Sequence, residues 1–90
     1  MSEPTTVRRK RLIYQSRHRG SLEIDLLLAR FADRYVARLD PSQLDRYEAL
    51  LTETDQDLFA WISGRTAVPA RHDHDVFGLL CRFEPVERSG

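Results

Sequence analysis

The ninety residues carry fourteen basic and fourteen acidic side chains, a single cysteine, four glycines and four prolines, a composition that excludes collagenous and linker-dominated chains and leaves a globular one. Zero net charge argues against tight non-specific binding to nucleic acid, and the lone Cys81 excludes an internal disulfide or a paired-thiol motif. No apolar run approaches the ~20 residues of a membrane span, and the amino terminus lacks the apolar stretch of a signal peptide, so a cytoplasmic protein is expected.

Residues 1–6, with Pro4 and two threonines, have little to bury and read as a frayed end. Val7 to Arg19 reads as a first helix, in which Leu12, Ile13 and Tyr14 stand among basic residues and Gly20 is the stop. From Ser21 to Leu39, at 100° per residue, Ile24, Leu27, Leu28, Phe31, Ala32, Tyr35, Val36, Leu39, Ala29, Leu22 and Leu26 fill most of the helical circle. A helix so apolar should be the centre of a bundle. Asp40-Pro41-Ser42-Gln43 is a start signal, a cap and first-position proline with Gln43 reaching back. The third helix that follows packs through Leu44, Tyr47, Leu50 and Leu51.

Thr54 or Asp55 caps a short fourth helix that carries Leu58, Trp61 and Ile62 inward, with Gly64 as its end. Residues 65–71 read as a loop around Pro69. Asp73 or Asp75 caps a fifth helix with Val76, Leu79, Leu80 and Phe83 at helical spacing, and Pro85 stops it. Cys81 falls among them as a small core filler. No stretch alternates in the manner of a strand. The expected fold is all-α, a five-helix bundle around a central helix at about residues 21–39, as one domain over residues 1–90 with frayed ends at 1–6 and 85–90.

Charge is unevenly placed along the chain. Residues 1–20 carry a local charge of +5 and residues 40–59 one of −5. Such a bipolar chain can steer a partner or pair its own helices. His72-Asp73-His74-Asp75 is the only run resembling metal ligands, but on a helix the two histidines would point some 200° apart, so no metal is expected. No catalytic set emerges: Ser16 and His18 lack a glycine turn, and Glu23 and Asp25 face different sides. There is no phosphate loop and no dinucleotide fingerprint.

One corner remains, Arg17-His18-Arg19-Gly20-Ser21-Leu22-Glu23-Ile24-Asp25, where two arginines, a histidine and two acids crowd one glycine. Helix capping and dipole complementarity account for the signs of these charges. A binding tip would use Gly20 for close backbone approach, Arg19 as a donor fork and Glu23 as an acceptor. Candidate partner-binding residues are Tyr14, Arg17, His18, Arg19, Gly20, Glu23 and Asp25.

Arg19-Gly20-x-x-Glu23, preceded by Arg11-Leu12-Ile13-Tyr14 and followed by Leu26-Leu27-Leu28-x-x-Phe31-Ala32, resembles the FAD assembly factor family of succinate dehydrogenase. The resemblance continues through Leu50-Leu51, Asp55-x-Asp57-Leu58-x-x-Trp61 and Gly64, over roughly residues 8 to 83. It does not extend to Arg71–Asp75 or to the tail after Phe83. The resemblance implies a non-enzymatic chaperone, a monomer that binds the flavoprotein subunit of succinate dehydrogenase or fumarate reductase. It would promote covalent FAD attachment there. With no dinucleotide fingerprint and too little volume for a dinucleotide pocket, the chain itself is expected to bind no FAD, and its zero net charge and short apolar runs lead to the expectation of neither nucleic acid nor membrane as partner. Two other readings of the sequence are a nucleic-acid-binding helical module using the basic first helix, and an antitoxin-like interaction protein.

Overall fold

The computed structural model describes residues 3–83, and among them every regular element is helical. Five α-helices follow one another: α1 (Thr5–Arg17), α2 (Leu22–Tyr35), α3 (Pro41–Leu51), α4 (Asp55–Ile62) and α5 (Asp75–Phe83). Single 3-10 turns at Val36–Arg38 and Ala70–His72 complete the set. The expected stop at Pro85 and the carboxy-terminal end at 85–90 lie outside the described residues.

Helix α1 begins at Thr5, two residues earlier than the apolar pattern indicates, because extended Pro4 offers its carbonyl to the Arg8 N–H (2.9 Å) and Glu3 binds the Arg11 guanidinium (2.7 Å). It also ends two residues early, at Arg17, where His18 leaves the helical region (φ −124°, ψ 60°). Gly20 is therefore the middle of a turn and not the residue that closes the helix.

Helix α2 supplies Ile24, Leu28, Phe31 and Ala32 to the core, and the adjoining 3-10 turn adds Val36. It is shorter than the expected 21–39 helix. At Leu39 the N–H is shared between the Tyr35 and Val36 carbonyls (3.1 and 3.3 Å), and Arg9 takes the Val36 and Leu39 carbonyls (3.1 and 2.8 Å), so the chain tightens there before turning. Nor is α2 surrounded on all sides. Leu22 is 74% and Leu26 51% exposed, because four short neighbours cover only the face centred on Ile24 and Phe31.

The start of α3 is a complete capping box: the Gln43 N–H donates to Asp40 Oδ1 (2.8 Å) and the Asp40 N–H to Gln43 Oε1 (3.0 Å). Leu44, Tyr47 and Leu50 then face inward. Tyr47 is fully buried, and its hydroxyl meets Ser16 Oγ at 2.6 Å while Ser16 donates to the Leu12 carbonyl (2.7 Å). Both buried hydroxyls are thus satisfied. Burial pushes the Tyr47 phenol well above its usual range, against a smaller opposing effect of the Ser16 hydrogen bond.

Thr54 caps α4, its Oγ1 accepting the Asp57 N–H (3.0 Å), and Gly64 (φ +82°) turns the chain away afterwards. Leu58 is buried, whereas Trp61 and Ile62 are only partly so, packed against the core's edge. On α5 the buried residues are Val76, Phe77 and Leu80. Of the two expected aspartates, Asp75 takes part in the cap, its Oδ1 accepting the Val76 N–H (2.8 Å). The Phe77 N–H donates to His74 Nδ1 (3.2 Å), so a histidine ring shares the first turn, while Asp75 also binds Arg46 (3.0 Å) and Gln43 (3.0 Å) across to α3.

The opposed charges of the sequence meet inside the molecule. Arg8 binds Asp45 (2.7 Å) and Glu48 (2.8 Å), and Arg11 binds Glu48 (3.0 Å), which draws α1 along α3. The hydrogen bond from Arg11, and then that from Arg8, holds the Glu48 carboxyl below its ordinary range.

Candidate functional site

The corner between α1 and α2 is built by its own acids. Asp25, in the first turn of α2, accepts the backbone N–H of Arg19 (2.9 Å) and of Gly20 (3.4 Å) with its two carboxylate oxygens. This fixes the link between the helices, with Gly20 at φ +103°, a conformation that side-chain-bearing residues rarely take. Nothing lies within 4 Å of where a Gly20 Cβ would stand. Backbone conformation, and not crowding within the chain, is what calls for glycine here.

Arg19 departs most from the expectation of an outward donor fork. Its side chain is 11% exposed. Nε donates to Asp55 Oδ1 (2.6 Å), Nη1 to the Leu51 carbonyl (2.7 Å) and Nη2 to the Glu53 carbonyl. All three guanidinium nitrogens are occupied by the α3–α4 junction, so the fork has turned inward.

The remaining candidates divide by direction. Tyr14 is 63% exposed and stacks edge-on against His18, one helical turn later (centroids 4.0 Å, 82°). Arg17 reaches along the surface to Asp33 (2.6 Å). Glu23 is exposed and has no hydrogen-bonding or ionic partner among the described residues. Open grooves flank Arg19 on both sides. Tyr14, Gln15, His18, Glu48, Leu51 and Thr52 line one, and Gly20, Ser21, Glu23, Asp55, Gln56 and Phe59 the other. Tyr14 and His18 thus face solvent on one side of Arg19, and Gly20 and Glu23 on the other, while Arg19 and Asp25 hold the corner between them.

Reading the sequence alone overlooked Asp55 as the ionic partner of Arg19, and the exposed Leu22, Leu26 and Phe59 beside Glu23. Leu22 and Leu26 were legible as a pair one turn apart flanking Glu23; the pairing of residues 19 and 55 leaves no local signal. In the His72–Asp75 run His72 is buried with Nε2 2.7 Å from Glu53 Oε2, and among the described residues no three potential metal ligands gather. No helix among them is long and apolar enough to cross a membrane.

A sequence model described as a flavinator of succinate dehydrogenase matches residues 10–84. The chain belongs to that family. Among relatives of this flavinator family, succinate dehydrogenase assembly factor 2 of Mycosarcoma maydis is 45% identical over 73 residues, covering 81% of this chain and 31% of the relative. That of Lodderomyces elongisporus is 51% identical over 82 residues, covering 87% and 50%. That of Dictyostelium discoideum is 42% identical over 81 residues, covering 87% and 57%. The chain therefore spans about a third to somewhat over half of the length of these relatives. All three are named as mitochondrial proteins. That finding overturns the expectation of a cytoplasmic protein, which rested on the missing membrane span and signal peptide.

Proposed function

We propose that this chain binds the flavoprotein subunit of succinate dehydrogenase, or of fumarate reductase, and promotes covalent attachment of FAD to it without being an enzyme. Support comes from the family and from the names of the relatives, which are assembly factors of succinate dehydrogenase. The observation that carries the reading is the corner itself. A pre-set glycine turn presents the carboxylate of Glu23, unpartnered among the described residues, and the Tyr14–His18 stack, with grooves on either side. A small rigid tip of this kind can hold one arrangement of a client, so that the client's own side chain meets the flavin in attack geometry. The flavin and the client then supply the chemistry.

The basic first helix favours this reading over nucleic-acid binding. Arg8, Arg9 and Arg11 of α1 are engaged by α3 or the turn after α2, and Arg19, just beyond α1, by the α3–α4 junction, so they are not arrayed for phosphates. We further propose that the chain acts as a monomer, away from the membrane, and binds no FAD by itself. Flavinylation of the apo-flavoprotein, followed as flavin fluorescence that survives denaturation, tests the function. Acceleration by the chain, with no FAD binding in calorimetry of the chain alone, is the expected result. An unchanged rate, or micromolar FAD affinity of the isolated chain, would overturn it.

A further inference from the structure

Arg19 is fastened at both ends. Its backbone N–H is held by Asp25 of α2, and its guanidinium by Asp55 and two carbonyls at the α3–α4 junction. The electrostatics of that junction suit a cation. Leu51 is the last residue of α3, where helix carbonyls lack intrahelical partners and the dipole is negative. Asp55 is the first residue of α4, where a carboxylate is favoured. A planar fork reaches three acceptors at once; a lysine ammonium could not keep that arrangement.

We infer that Asp55 is a positioning residue for client binding, acting through Arg19 to set Gly20 and Glu23 relative to α3 and α4, and that Arg19 does not itself dock on the client. This inference rests on the proposed function and locates part of its specificity outside the corner. Without the Asp55 carboxylate the guanidinium loses its only ionic partner among the described residues. The guanidinium then keeps only the Leu51 and Glu53 carbonyls, the link from residue 18 to residue 21 keeps its tie to Asp25, and the groove between Glu23 and Phe59 has a less firmly fixed wall.

A double-mutant cycle separates this role from direct contact. Affinity for the apo-flavoprotein would be measured at 15 °C, with each variant confirmed folded, for Arg19→Ala, Asp55→Ala and the pair, with Arg19→Lys and Asp55→Asn as milder substitutes should either alanine variant not fold. Both single changes should weaken binding by about tenfold and the pair by no more than either alone, a coupling within the range of contacting residues. Maximal flavinylation at saturating chain should stay within about twofold of wild type, because the presented groups are intact once docked. Full affinity of Asp55→Ala beside a weakened Arg19→Ala would overturn the inference, since Arg19 would then touch the client directly. Losses that add would overturn it as well, and so would a lowered Tm with unchanged affinity. If the wild-type chain does not bind the flavoprotein at all, the proposed function fails instead.

Discussion

Glu23 and Gly20 sit three residues apart and make opposite demands on the fold. Glu23 is exposed and unpartnered among the described residues, so Glu23→Ala should alter unfolding stability by no more than ~0.5 kcal/mol while abolishing most of the acceleration of flavinylation. Thermal unfolding beside the fluorescence assay checks both halves; a stability loss as large as a core truncation would mark Glu23 as structural. Gly20→Ala should behave differently. The open space around it removes any steric objection, yet φ +103° imposes a backbone cost of ~1–2 kcal/mol on any residue with a Cβ. Denaturant titration should show that cost. The turn could avoid it only by relaxing, in which case stability is kept and client binding is lost. At this scale the sequence disclosed which residues cluster but not which way they point. Arg19 looked like a ligand-seeking fork because its acceptors, two backbone carbonyls and a carboxylate 36 positions away, have no local signature.

Helices were legible where their signals are local. Asp40, Pro41 and Gln43 announce α3, and Thr54 announces α4, because a cap is a short-range contact between a side chain and its own backbone. Failures came where tertiary contacts decide: α2 gives way to a 3-10 turn near residue 36, where Arg9 claims the carbonyls of Val36 and Leu39, and α5 takes a cap from His74 beside the expected Asp75. The histidine cap has a pH consequence. Burial first, and then the neighbouring His72, lowers the His74 pKa below its ordinary 6.5. The folded chain therefore holds fewer protons at this site than the unfolded chain. Its contribution to stability is complete above about pH 6.5 and declines as the pH falls through the folded-state value. Unfolding midpoints measured from pH 7.5 to 5 should fall, and His74→Asn, which keeps an acceptor for the Phe77 N–H but cannot titrate, should flatten that slope. Losses at Glu48 and Glu53, whose carboxyls are held low by Arg11 and by His72, belong to a separate window below about pH 4.5.

Taken whole, the molecule is a bundle whose two oppositely charged segments neutralise each other across α1 and α3. The charge pattern alone left open whether those segments face a partner or each other; the fold settles it in favour of each other for Arg8, Arg11 and Arg19. That arrangement has a kinetic consequence for the proposed function. With no net charge and its main opposite charges closed into short pairs, the chain casts little field beyond a Debye length. Encounter with a client should therefore proceed at the unsteered rate, on the order of 10⁵–10⁶ M⁻¹s⁻¹, and stopped-flow association should change less than about threefold between 50 and 500 mM salt. A steep fall with salt would show that a charged face had been left open to steer. Association without long-range attraction also leaves nothing to recapture a partner that has begun to depart. Under the proposed function, each copy would then be free to leave a finished flavoprotein and meet the next, so that a few copies would serve many clients.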